Sequence, residues 1–274
     1  MTRDSILIAV MLALSILGAV VKTLGGLLYG SKALFVDALT CFANIVALIA
    51  VIYFSKMSLL PPDTDHPYGH YRLGYAGVLI TLISYSYVAG IATSSILISE
   101  RYTVEFNSVI FAVAGFLIYS IVILLSRMLG GHYRSYGIFT VSELVESVVV
   151  IIASLGGSLV SYIIDYIGAV ILTSYIFYEI YEEGKEMFEM LADTAPPQKF
   201  IEITRQAFQK EGFNVLNIRL RRTAYNLIHG DVLIEIDTSK PYGFYEEKFM
   251  KIKEELRMKG IEVAIEAVSR SQSQ

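Results

Sequence analysis

The chain has 274 residues, of which 54 % are hydrophobic, and a mean hydropathy of +0.55. That is too apolar for an ordinary soluble domain and implies a membrane protein. A net charge of −4 without a strong basic patch argues against nucleic acid as a partner, and Arg219, Arg221 and Arg222 read as a solvated strand face. The single cysteine, Cys41, excludes an internal disulfide. No nucleophile–base pair, glycine-rich phosphate loop or zinc-protease signature is present, so the reading is not an enzyme.

Apolar blocks long enough to cross a hydrocarbon core fall at about 5–29, 33–55, 75–99, 107–128, 139–160 and 163–182. The first has no small-residue cleavage site and is followed by further spans, so it reads as a retained helix. Gly25-Gly26, Gly156-Gly157 and the small residues Ala89, Gly90, Ala92 and Ser94 suit close helix packing. With a cytoplasmic N-terminus the inner loops hold Arg3, Lys56, Arg72, Arg127 and Arg134, and the outer loops only Lys32 and Arg101. The positive-inside rule then places both termini in the cytoplasm.

Between the second and third blocks lies Pro61-Pro62-Asp63-Thr64-Asp65-His66-Pro67-Tyr68-Gly69-His70. Carboxylates and imidazoles are the groups that hold a divalent metal, and His66 and His70 stand at i and i+4. After residue 182 charge becomes frequent. Residues 199–210 and 244–259 pattern as amphipathic helices, and 215–222, 231–236 and 261–268 alternate as strands. An αββαβ order predicts a small sheet with two helices on one face. The expected organisation is a membrane domain over 1–184, a junction over 185–196 and a cytoplasmic domain over 197–274.

Four segments resemble the cation diffusion facilitator family over essentially the whole chain. They are Ser31-Lys32-Ala33-Leu34-Phe35-Val36-Asp37-Ala38-Leu39, the Asp63 to His70 string, Glu146 ten residues before Gly156, and Leu191-Ala192-Asp193-Thr194-Ala195-Pro196. The resemblance implies an α-helical membrane protein of six transmembrane helices with a small α+β, ferredoxin-like cytoplasmic domain. It further implies homodimers and efflux of divalent metal cations coupled to proton entry. The short 128–138 loop lacks the His-rich insertion of many eukaryotic relatives, which suggests a prokaryotic plasma membrane.

By the same resemblance, the transport site takes ligand pairs at i and i+4 from the second and fifth helices. Here those positions are Thr40 and Asn44, and Ser142 and Glu146. An all-oxygen set with one carboxylate departs from the usual pattern and suits manganese, magnesium or a monovalent cation better than zinc or copper; zinc and iron stay among the candidates. Asp37 and Glu143 are possible extra charges, although Glu143 points about 100° from Ser142 on an ideal helix. Cys41 reads as a small apolar residue. The loop matches the family's second metal site through Asp63, His66 and His70, with Asp65 as a further carboxylate; Gly74 stands where a supporting Glu is usual. In the tail, His229, Glu246, Glu247 and Glu266 read as surface charges, and the tail's expected role is dimerisation.

The reading is therefore a cation/proton antiporter working by alternating access. Its alternatives are a transporter whose ion is held by Glu146, Asp37 and water, and a non-transporting metal sensor or scaffold with a degenerate site.

Overall fold

Long apolar runs without internal proline form six helices, because only a helix satisfies its backbone internally within lipid. The computed structural model describes residues 3–98, 100–129, 133–224, 227–241 and 243–269. The long helices are α1 (Arg3–Leu28), α2 (Lys32–Ser58), α3 (Gly74–Leu97), α4 (Asn107–Leu129), α5 (Tyr133–Leu159) and α6 (Tyr162–Leu191). Among the described residues, α1, α2, α3, α4 and α6 are long and apolar enough to span a membrane. Helix α5, with 27 residues, has the length as well.

The chain folds as two compact units. One comprises Met1–Lys56 and Ala76–Gly184; the other comprises Met57–Tyr75 and Lys185–Gln274. The loop after α2 thus groups with the C-terminal residues. Helix α6 continues to Leu191, well past the end of its apolar stretch. Hydropathy stops near residue 182, but Glu182, Glu183, Lys185, Glu186 and Met187 are good helix formers. The helix ends before Asp193, whose φ is 53°.

In the first unit the core is built from small residues. Ala33, Ala43, Ala89, Ala92, Ala112, Ala153 and Ala169 are buried beside Leu34, Val150 and Ile176. Large apolar residues such as Leu17, Leu24, Ile83, Leu124 and Ile152 face outwards, as lipid contact allows. Small interfaces let backbones approach: a Cβ on Gly26 would lie 2.8 Å from the Phe35 backbone nitrogen. The turn into α2 requires Gly30, with φ +74° and the Thr103 carbonyl in the place of a side chain.

The second unit carries α7 (Gln198–Lys210), β1 (Asn214–Ala224), β2 (Leu227–Ile236), α8 (Gly243–Arg257) and β3 (Ile261–Ser269). Strands β1 and β2 pair antiparallel and β2 and β3 parallel, in the order β1-β2-β3. This is the expected αββαβ, ferredoxin-like arrangement. Its core holds Phe208, Val232, Ile234, Ile252, Leu256 and Ile261. Strand β2 begins at Leu227, earlier than alternation indicates. Gly230 breaks the sequence pattern because a Cβ there would meet the Arg219 carbonyl at 1.9 Å.

Candidate metal centres in the membrane core and the loop

Helices α2 and α5 bring the membrane site together. Thr40 is buried on α2, where its Oγ1 donates to the Asp37 carbonyl oxygen at 2.8 Å and lies 3.4 Å from Glu146 Oε2. Asn44, one turn on, donates from Nδ2 to Glu143 Oε1, and its Oδ1 accepts from the Tyr85 hydroxyl. Glu143 and Glu146 are both buried. Glu143 Oε2 has no hydrogen-bond partner among the described residues. A buried carboxylate oxygen without a donor is the acceptor a cation would satisfy.

The structure corrects the sequence reading of Glu143. Glu143 and Glu146 stand at i and i+3, so both reach the same side of α5. Asn44 of α2 faces Glu143 across the helix interface. Ser142 lies within α5, but its side chain is outside the described residues. Tyr85 on α3 was not singled out from sequence.

Asp37 is engaged elsewhere. Its Oδ1 and Oδ2 lie 3.0 and 2.9 Å from Lys22 Nζ, a fully buried lysine of α1. Sequence reasoning missed Lys22, although a lysine within an apolar span is a functional signal by default. Asp165 was missed for the same reason. From α6 its carboxylate accepts from Ser31 Oγ (2.6 Å), Lys32 N (2.7 Å) and Tyr102 Oη (3.0 Å), and Ala33 N is 3.4 Å away. It thereby caps the start of α2, the helix that carries Thr40 and Asn44, and suits that helix's dipole.

The loop site lies in the second unit. One atom each of Asp63, His66 and His70 come within 4.8 Å of one another. Asp63 Oδ1 accepts from the His66 amide (2.7 Å) and the Asp65 amide (3.1 Å), and lies 3.1 Å from His66 Nδ1. His70 Nε2 is 3.3 Å from Asp63 Oδ2, and its Nδ1 is 3.1 Å from the Pro61 carbonyl. A carbonyl can only accept, so Nδ1 donates to it and fixes the ring with Nε2 turned towards Asp63 Oδ2, a common way to orient a metal-binding imidazole. The His66 amide, foremost, holds the Asp63 carboxyl below the usual carboxylate range. Asp65 contributes its amide to this turn and is not one of the three converging side chains.

In the tail, His229 Nε2 is 3.0 Å from Glu262 Oε2, and Glu266 pairs with Arg219 at 3.4 Å. Among the described residues, only Asp63, His66 and His70 gather as three potential metal ligands. Asp193 bridges Arg72 (2.7 Å) and Arg221 (2.8 Å), joining the loop segment to β1 within this unit.

Fold and site together define an α-helical membrane protein with carboxylates buried among its spans. The chain belongs to the cation efflux family: residues 8–192 match the cation efflux transmembrane domain, as the resemblance to cation diffusion facilitators implied. It is 28 % identical over 223 residues to the uncharacterized transporter MJ0449 of Methanocaldococcus jannaschii, covering 74 % of this chain and 75 % of that one. Shorter matches are 52 % over 54 residues to the Bacillus subtilis uncharacterized transporter YdbO and 44 % over 52 residues to the manganese efflux system protein MneS of the same organism. These cover 20 % and 19 % of this chain, and the chain spans only 19 % of YdbO and 18 % of MneS.

Proposed function

We propose that this protein exports a divalent metal cation, manganese foremost, in exchange for protons. The observation that carries the reading is the pairing of two buried glutamates on α5 with neutral side chains on α2: Glu143 Oε1 accepts from Asn44 Nδ2, and Glu146 Oε2 lies 3.4 Å from Thr40 Oγ1. Ser142, one turn before Glu146 on α5, completes the set proposed from sequence. Hard oxygen ligands favour manganese, magnesium or iron(II) over zinc, and a similar protein is named for manganese efflux.

Ligand carboxylates must be deprotonated to bind the ion, so metal and protons compete for the same oxygens. In alternating access, the cation binds the ionised glutamates from the cytoplasm and leaves when they take up protons from the other side. The excess of lysine and arginine in the inner loops supports a cytoplasmic side for both termini, the loop site and the tail, and the short 128–138 loop supports a prokaryotic plasma membrane. There Asp63, His66 and His70 hold a second ion, and the tail joins two copies as a homodimer.

The test is manganese flux in proteoliposomes carrying an internal pH dye. Wild type is expected to move manganese with counter-moving protons, and Glu146→Gln to lose flux while folding normally. Flux unchanged in that variant removes Glu146 from the mechanism. A folded protein that moves no cation, yet changes its tail association with metal, is the sensor or scaffold instead.

A further inference from the structure

Lys22 sits at the centre of a complete cation shell. Its Nζ lies 3.0 Å from Asp37 Oδ1, 3.0 Å from Ser147 Oγ and 3.4 Å from Cys41 Sγ, so each of its three N–H donors has a partner. The Tyr119 ring closes a further side, its centroid 4.5 Å from Nζ. Room for the stem is built in: a Cβ on Gly115 of α4 would come within 2.7 Å of Lys22 Cγ and Cε. Gly18 likewise makes room for Tyr119, whose ring would lie 2.7 Å from a Cβ there. Four helices thus shape one place for one ammonium.

That place adjoins the proposed transport site. Asp37 and Cys41 precede Thr40 and Asn44 by three residues each on α2, and Ser147 follows Glu146 on α5. Thr40 Oγ1 donates to the Asp37 backbone carbonyl oxygen on the same helix. Both shells therefore hang on the same two helices.

Resting on the transport reading above, we infer that Lys22 is a specificity-determining residue that fixes the valence of the site. Its ammonium is a tethered cation standing in a second cation position. It cancels the charge of Asp37, whose Oδ1 accepts its hydrogen bond and whose Oδ2 lies 2.9 Å from Nζ without one. The ion then meets Glu143 and Glu146, two negative charges against a divalent cation, with Glu179 of α6 acting on both electrostatically. Without Lys22 the charge of Asp37 would add to theirs; without Asp37 a free ammonium would oppose the ion.

The test is equilibrium binding of manganese to the full chain in lipid nanodiscs, with His66→Ala and His70→Ala in the background so that only the membrane site titrates. Asp37→Asn is expected to weaken binding by about tenfold or more and Lys22→Met to tighten it comparably, a unit charge in a low-dielectric site being worth at least that. The double variant Lys22→Met with Asp37→Asn, which restores the net charge, is expected to return within about threefold of wild type. Lost binding in the double variant would make Asp37 a ligand and overturn the inference. Unchanged affinity in a folded Asp37→Asn or Lys22→Met protein would overturn it too, and where one of the two does not fold the other decides. Flux of the same variants in sealed proteoliposomes separates the two readings: binding without flux defeats transport and leaves the charge comparison standing.

Discussion

Replacing Asp165 by alanine removes the group that ties α6 to the start of α2. Its carboxylate is fully buried and accepts from Ser31, Lys32 and Tyr102 at 2.6–3.0 Å. Hydrogen bonds to a charged acceptor contribute about 1.5–3 kcal/mol each, and donors left buried without a partner cost about 1–3 kcal/mol. The contacts share one carboxylate and do not add fully, so the expected destabilisation is about 3–5 kcal/mol. Asparagine keeps the shape and one acceptor oxygen, and about 1–2 kcal/mol is expected for Asp165→Asn. Unfolding of the purified protein in a fixed detergent, followed for wild type and both variants, measures this. Alanine and asparagine variants both within about 1 kcal/mol of wild type would show that the α2 start does not depend on this carboxylate.

Three further outcomes are expected. His70→Ala removes one of the three proposed ligands of the loop site, so manganese binding there should fall by more than the roughly 10–100-fold typical of losing an outer-shell partner, and calorimetry on the full chain should lose one binding event. Leu256→Ala empties a fully buried position in the tail; a loss of about 2–5 kcal/mol should appear as faster amide exchange across β2 and β3 with the first unit unchanged. Asp63 has a folded pKa below its ordinary value, so the stability it lends the turn is present above the ordinary carboxylate pKa and lost only as pH falls through the lower folded one. Proton NMR of the His66 amide on acidification checks that order; release of the amide at or above the ordinary carboxylate range would contradict it.

Much of this architecture was legible in the sequence because it rests on local rules. Apolar length gives the spans, and alternating patterns give α7, β1, β2, α8 and β3 in order. The loop triad was legible too, since Asp63, His66 and His70 are close along the chain and a tight turn with Pro67 and Gly69 must gather them. Continuity of α6 to Leu191 was not, because hydropathy reports where lipid ends and says nothing of where helix propensity ends.

The sequence by itself determined which residues share a face of each helix; the tertiary structure decided which faces meet. Lys22 and Asp37 are 15 residues apart, and Asn44 and Glu143 are 99 apart. No periodicity links such pairs, because the rotation and crossing of packed helices are set by small-residue contacts such as Gly115 against the Lys22 stem. Thr40, Asn44 and Glu146 were named from the family resemblance, with spacing fixing their positions. That Glu143 faces Asn44, that Asp37 is matched by a lysine and that Asp165 holds the start of α2 became visible only once the helices were packed, because burying charge in an apolar core forces each group to find its partner on a neighbouring helix.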